Sequence, residues 1–91
     1  MFLLVCYDIA DDRRRLRVMK VLEGYGQRVQ RSVFECDLDA RQLERLKGRL
    51  RKTIRDSEDS LRYYHLCSRC LERVEVVNGP PPAASQLYFL V

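Results

Sequence analysis

Residues 2–8, Phe2-Leu3-Leu4-Val5-Cys6-Tyr7-Asp8, are an apolar run that ends on a single carboxylate. Its composition reads as a strand. Asp11, Asp12, Arg13, Arg14 and Arg15 follow and open a helix. Asp11 or Asp12 caps it, and both suit the positive end of the helix dipole. Val18, Val21, Leu22 and Tyr25 fall at i, i+3, i+4 and i+7, one apolar stripe, with Arg13, Arg17 and Lys20 on the other side. Gly24 and Gly26 stop the helix near residue 25. Residues 27–38, QRVQRSVFECDL, read as two short strands with a break at Arg31-Ser32. Asp39 caps a second helix, with Gln42 in the capping-box position. Leu43, Leu46, Leu50 and Ile54 line its inner face, and Arg41, Arg45 and Lys52 its outer one. The polar loop DSEDS (56–60) precedes a strand over residues 61–66, and residues 73–77 read as a fifth. Asn78-Gly79-Pro80-Pro81-Pro82 ends regular structure before an apolar finish, Leu87-Tyr88-Phe89-Leu90-Val91.

This order predicts an α+β, ferredoxin-like βαββαβ fold with an extra C-terminal strand. Residues 1–78 form the domain. Residues 79–91 are a Pro-rich linker and an apolar segment that docks on a partner subunit. Right-handed crossovers place both helices on one face of the sheet and leave the other bare. A second copy covers it: residues 73–77 or 87–91 pair with its sheet edge, giving a homodimer with sheets packed face to face. The competing reading is a fold-back within one chain.

Ninety-one residues make one small domain with a modest core, for which oligomerisation is a common remedy. No apolar stretch is long enough for a membrane span, and nothing before the first strand resembles a signal peptide, so a cytoplasmic protein is expected. Fourteen of the 17 Lys and Arg residues lie at or before Arg55. Residues 41–55 carry seven of them against one acid, Glu44. A basic face of this kind suits a polyanion, most simply nucleic acid; a solvated helix face is the plain alternative. The candidate phosphate contacts are Arg13, Arg14, Arg31, Arg41, Arg45 and Lys52, with Arg15, Arg17 and Arg28 also near the end of the first strand.

Asp8 invites two readings. As a ligand it suits Mg2+, which takes oxygen donors, keeps several waters and often uses one or two carboxylates. One Asp8 is a poor site, whereas two brought together across a dimer axis make a plausible one. The ion would activate water and offset phosphate charge during phosphodiester hydrolysis. Alternatively Asp8 caps the turn before the first helix. No general base is evident; the single histidine, His65, is far along the chain. Tyr7 suits the core or a stacking role, and Phe34 the core. Cys67 and Cys70 form one CxxC with His65 upstream. Three clustered candidates fall short of the four ligands of a structural zinc site, so a turn with partly buried thiols is the better reading, zinc the alternative, and a redox role ranks below both because no thioredoxin-like pattern surrounds the pair.

Tyr7-Asp8-Ile9, the helix ending in Tyr25-Gly26, and Arg28-Val29-Gln30 followed by Ser32-Val33-Phe34-Glu35 together resemble the CRISPR-associated Cas-two family of small spacer-acquisition proteins. The match is close over residues 2–38, and the element order agrees over nearly the whole chain. The resemblance implies a ferredoxin-like homodimer whose C-terminal segments reach across to the partner. It also implies a bridge between dimers of the CRISPR integrase and a hold on a duplex DNA prespacer. A Mg2+-dependent endonuclease activity on single-stranded RNA or duplex DNA follows from it as well. Asp8 would bind the metal, and Tyr7, Arg15, Arg17, Arg28 and Phe34 would serve the same catalytic site. Outside the family, the alternative is a non-catalytic ferredoxin-like RNA-binding or scaffolding module, which stacks bases on an exposed sheet face.

Overall fold

The structure, a computed structural model, describes residues 1–82. Strand β1 (Phe2–Asp8) leads into helix α1 (Asp12–Glu23), then strands β2 (Gly26–Gln30) and β3 (Val33–Asp37), helix α2 (Ala40–Thr53), strand β4 (Ser60–Leu66) and a short helix α3 (Ser68–Glu72). The sheet order is β2-β3-β1-β4, and every neighbouring pair is antiparallel. This is the ferredoxin-like α+β arrangement expected from the sequence.

Alternation along β1 divides its residues between the two faces. Leu3, Val5 and Tyr7 are buried beneath the helices and join Val18 and Leu22 of α1, Phe34 and Cys36 of β3, and Leu43, Leu46 and Leu50 of α2 in one core. Phe2, Leu4, Cys6 and Asp8 face the opposite side, alongside Leu66, Tyr64, Arg62 and Ser60 of β4. Asp11 caps α1 by accepting the Arg14 N–H at 2.9 Å. Asp39 and Gln42 form the full capping box on α2, at 2.7 and 2.9 Å. Gly26 is required by the close approach of β2 to β3: a Cβ there would overlap the Glu35 carbonyl oxygen and the Cys36 sulfur. A bulge between Arg28 and Gln30 leaves Val29 out of the ladder.

The C-terminal part departs from the sequence expectation. Residues 67–70 are not a plain turn: Cys67 stands at the N-cap position of α3 without a side-chain cap, and Leu71 of that helix sits on Phe2 with Leu4 and Leu66 packed around it. The fifth strand over residues 73–77, expected to pair with a second copy, joins no ladder among the described residues of one chain. Arg73 ends α3 instead, and Val74, Val76 and Val77 are exposed with no ladder partner among the described residues. The β-branched side chains are present, but no sheet edge among the described residues receives them. The other candidate strand, residues 87–91, lies outside the described residues, as does most of the segment assigned to docking. Among the described residues no helix is long and apolar enough to cross a membrane.

Candidate functional site

A groove of about 780 Å³ opens where β1 ends, between the first turns of α1 and the β2–β3 turn. Asp8, Asp12, Arg15, Arg28 and Arg31 all line it, with Tyr7 at its inner wall. Four of the residues singled out for catalysis (Tyr7, Asp8, Arg15 and Arg28) therefore meet at one place, and Arg31 joins them from the set of phosphate contacts.

Asp8 is exposed, and its carboxylate makes no hydrogen bond or ion pair with any other described residue. Several of the groups around it are tied down. Arg15 donates to the Ile9 carbonyl at 3.1 Å and pairs with Asp12. Arg28 donates to the Met19 sulfur at 3.1 Å. The Arg31 side chain is exposed, while its carbonyl accepts the Tyr7 hydroxyl at 2.9 Å. The Tyr7 backbone N–H donates to the Ser32 carbonyl at 3.0 Å, so Tyr7 fastens the β2–β3 turn at two points. Burial pushes the Tyr7 phenol above its ordinary range, with Arg28 and Arg15 working weakly against it. Such a phenol is a strut and a poor proton-transfer group near neutral pH.

Three other expected site residues stand apart. Phe34 is fully buried, with its ring centroid 6.3 Å from that of Tyr7, so it supports the inner wall and does not reach the groove. Arg17 is exposed on α1 beside Arg13 and does not line the groove. Arg14 is turned inward: Nε donates to Asp59 at 2.8 Å and Nη2 to Glu58 at 2.7 Å, which removes it from the phosphate contacts. Arg41, Arg45 and Lys52 are all exposed on α2, as expected. Other cations of that helix are engaged with rings: Lys47 lies over Tyr63 at 5.4 Å, and Arg49 over Tyr25 at 5.9 Å.

Two residues that shape this region were not singled out from the sequence as site residues: Asp12, read there only as a helix cap, and Asp59. Asp12 puts a second carboxylate into the groove, four residues after Asp8; that spacing across a strand-to-helix turn is its only sequence signal. Asp59, whose side chain is completely enclosed, accepts from the Ala10 N–H at 3.1 Å, the Arg55 N–H at 2.8 Å and the Arg14 guanidinium. Its hydrogen bond to Arg14 outweighs desolvation and holds its carboxyl down at about 2. It thereby clamps the loop that carries Asp8 into α1. Nothing in DSEDS distinguishes Asp59 from its acidic neighbours.

The oxygen donors at Asp8 and Asp12 suit a hard cation such as magnesium. Among the described residues no three His, Cys, Asp or Glu side chains converge to hold a metal within one chain, and His65 does not join Cys67 and Cys70. A metal at Asp8 would need a ligand from a second copy or a large share of water.

Comparison with known proteins places this geometry. The family model for CRISPR associated protein Cas2 matches residues 1–74. A relative from Chloroflexus aurantiacus, named CRISPR-associated endoribonuclease Cas2 1, is 50% identical over 93 residues and the match covers 100% of both chains. The crystal structure of Streptococcus pyogenes Cas2 at pH 6.5 superposes with a TM-score of 0.76 at 37% identity, over 86% of this chain and 100% of that one. A chain in a partial Cas6-RT-Cas1–Cas2 complex superposes with a TM-score of 0.74 at 32% identity, over 90% of each. A fold with β1 ending on a free carboxylate, joined to a family match over four-fifths of its length, leaves one assignment: the chain belongs to the CRISPR associated protein Cas2 family.

Proposed function

We propose that the protein works in CRISPR adaptation as a homodimer that bridges the Cas1 integrase and binds duplex DNA, and that it carries a metal-dependent endonuclease activity centred on Asp8. One observation carries the nuclease part: the Asp8 carboxylate, without a partner among the described residues, shares a groove with Arg28 and Arg31. Arg28 and Arg31 hold the phosphate groups of a strand laid across the groove. Arg15 and Asp12 fix the loop after Asp8, and Tyr7 fixes the turn that carries Arg31. Asp8 from each of two copies would hold Mg2+, which supplies Lewis-acid polarisation of water and phosphate. Half-buried Leu4, Cys6 and Val33 on the open sheet face give the second copy an apolar surface to cover. The relative named an endoribonuclease and the neighbour in a Cas1–Cas2 complex support the two halves of this reading.

The bridging role also stands without catalysis, and one observation favours that version: no histidine lines the groove, and its tyrosine is a strut. A generic RNA-binding sheet is less favoured. Of the aromatics on the open face, Phe2 is covered by Leu71, and Tyr64 accepts from Arg62 at 3.1 Å.

The deciding experiment compares wild type with Asp8→Asn. Cleavage of single-stranded RNA and duplex DNA across a divalent-metal series is measured beside spacer integration with Cas1. We expect metal-dependent cleavage that Asp8→Asn abolishes with the fold retained. Wild type that never cuts under any metal or pH removes the nuclease. Loss of integration in a folded Asp8→Asn protein would mean that bridging needs this carboxylate too.

A further inference from the structure

Cys67 and Cys70 take no part in the groove. Cys67 stands immediately before α3 and Cys70 sits in its first turn. Both are free thiols exposed to solvent, with sulfur atoms 3.5 Å apart. A disulfide has a sulfur separation of about 2.0 Å, so closing the bond needs an approach of about 1.5 Å, which side-chain rotation at two exposed residues supplies. No third His, Asp or Glu among the described residues completes a metal site around them. The pair is thus poised as two thiols and not as a ligand set.

The two thiols are also unequal. The Cys70 backbone amide, and then the Cys70 thiol, hold Cys67 below the usual thiol range. The hydrogen bond to Cys67, and its charge, push Cys70 above that range. One sulfur is suited to attack and the other to resolve. The remaining cysteines are placed otherwise: Cys36 is buried in the core, where desolvation pushes it up to about 11, and Cys6 lies within β1.

We propose that Cys67 and Cys70 form a reversible dithiol site whose substrate is a small disulfide of the oxidised-glutathione class. The Cys67 thiolate attacks one sulfur of the small disulfide, whose S–S bond breaks and expels one small thiolate. Cys70 then loses its proton to solvent and attacks the Cys67 sulfur. The Cys67–Cys70 bond forms and the second small thiolate leaves. The protein dithiol is oxidised by two electrons and the small disulfide is reduced to two thiols. The new bond closes the first turn of α3, the element whose Leu71 covers Phe2 at one end of the open sheet face. Oxidation therefore stiffens the segment from which residues 73–82 depart.

The test equilibrates the full chain in buffers of graded reduced-to-oxidised glutathione ratio, quenches with acid, alkylates the free thiols in denaturant so that buried Cys36 also reacts, and reads intact mass. Wild type should pass in one two-electron step from four alkylated cysteines to two, without a lasting glutathione adduct, and its thermal midpoint should rise on oxidation. Cys70→Ser should accumulate a glutathione adduct on Cys67. Cys67→Ser removes the thiol that makes the first attack, and it should form no closed bond within the chain at any glutathione ratio. Wild type that ends with stable adducts and no closed bond overturns the proposal. A closed bond in either single variant, or one in wild type that involves Cys6 or Cys36, overturns it as well.

Discussion

Replacing Arg41, Arg45 and Lys52 together by alanine tests the outer face of α2 as a phosphate track. At about 100° per residue the three positions fall within about 40° of arc. From first to last they span eleven residues, about 16 Å of helix axis, or the length of about five base pairs of duplex. Leu43, Leu46 and Leu50 point the opposite way into the core, so the substitutions leave packing intact. Alanine favours the helix, and Glu44, the single acid in α2, makes no ion pair with the three cations among the described residues. Each phosphate left without its cation should lower the slope of log affinity against log salt by about 0.9, so the triple variant lowers it by about 2.7 for each chain on the duplex. At ~0.1 M salt that corresponds to an affinity loss of order several hundred-fold. Fluorescence anisotropy with two unrelated duplex sequences over a salt series reads both quantities. An unchanged slope in a protein with wild-type circular dichroism refutes the track. A loss confined to one sequence would mean that these side chains read bases and not backbone.

Asp59→Asn should remove the acid limb of the stability profile. The folded pKa of Asp59, about 2, lies below its ordinary 3.8. Its contribution is therefore complete above about pH 4 and fades as pH falls toward 2. Thermal midpoints recorded from pH 6 downward should show wild type losing its advantage over the variant across that window; parallel curves would refute the clamp. Tyr7→Phe removes one hydrogen bond, to the Arg31 carbonyl, and should cost about 1 kcal/mol of stability, measured by denaturant unfolding. If cleavage is observed, its pH profile should keep its shape in this variant, whereas a shifted limb would make Tyr7 a proton-transfer group.

The fold is legible in the sequence because its signals are local. Alternation in β1, the leucine spacing of α2 and the Asp39–Gln42 capping box each act within a few residues, and all reappear in the structure. After residue 66 composition leaves the pairing open for a physical reason: Val74, Val76 and Val77 have strand character, but strand formation needs an edge, and no edge among the described residues receives them. Consecutive arginines meet the same limit at the site. Arg13 is exposed, Arg14 is bound to Asp59 and Glu58 from across the fold, and Arg15 is folded onto the Ile9 carbonyl. As residue types the three charges are equal, and acids 44 and 45 residues away decide that one of them turns inward.

That division of the arginines bears directly on Asp8. A carboxylate among several arginines would ordinarily be drawn into a pair, which would end its use as a ligand. Here two of the competitors are occupied by acids: Arg14 goes to the enclosed Asp59 and Arg15 to Asp12 and the Ile9 carbonyl, while Arg28 rests on the neutral Met19 sulfur and Arg31 is exposed on the far wall. Asp59 also grips the Ala10 N–H, two residues beyond Asp8, so the loop cannot swing to bring a different partner in. On the far wall Tyr7 fixes the turn that carries Arg31. The frame thus keeps two of the nearest arginines, Arg14 and Arg15, away from the Asp8 carboxylate. The same frame makes the groove sensitive to residues that never touch a substrate: loosening Asp59 frees Arg14 and the loop together, and Asp8 then acquires the arginine neighbours from which the clamp had kept it.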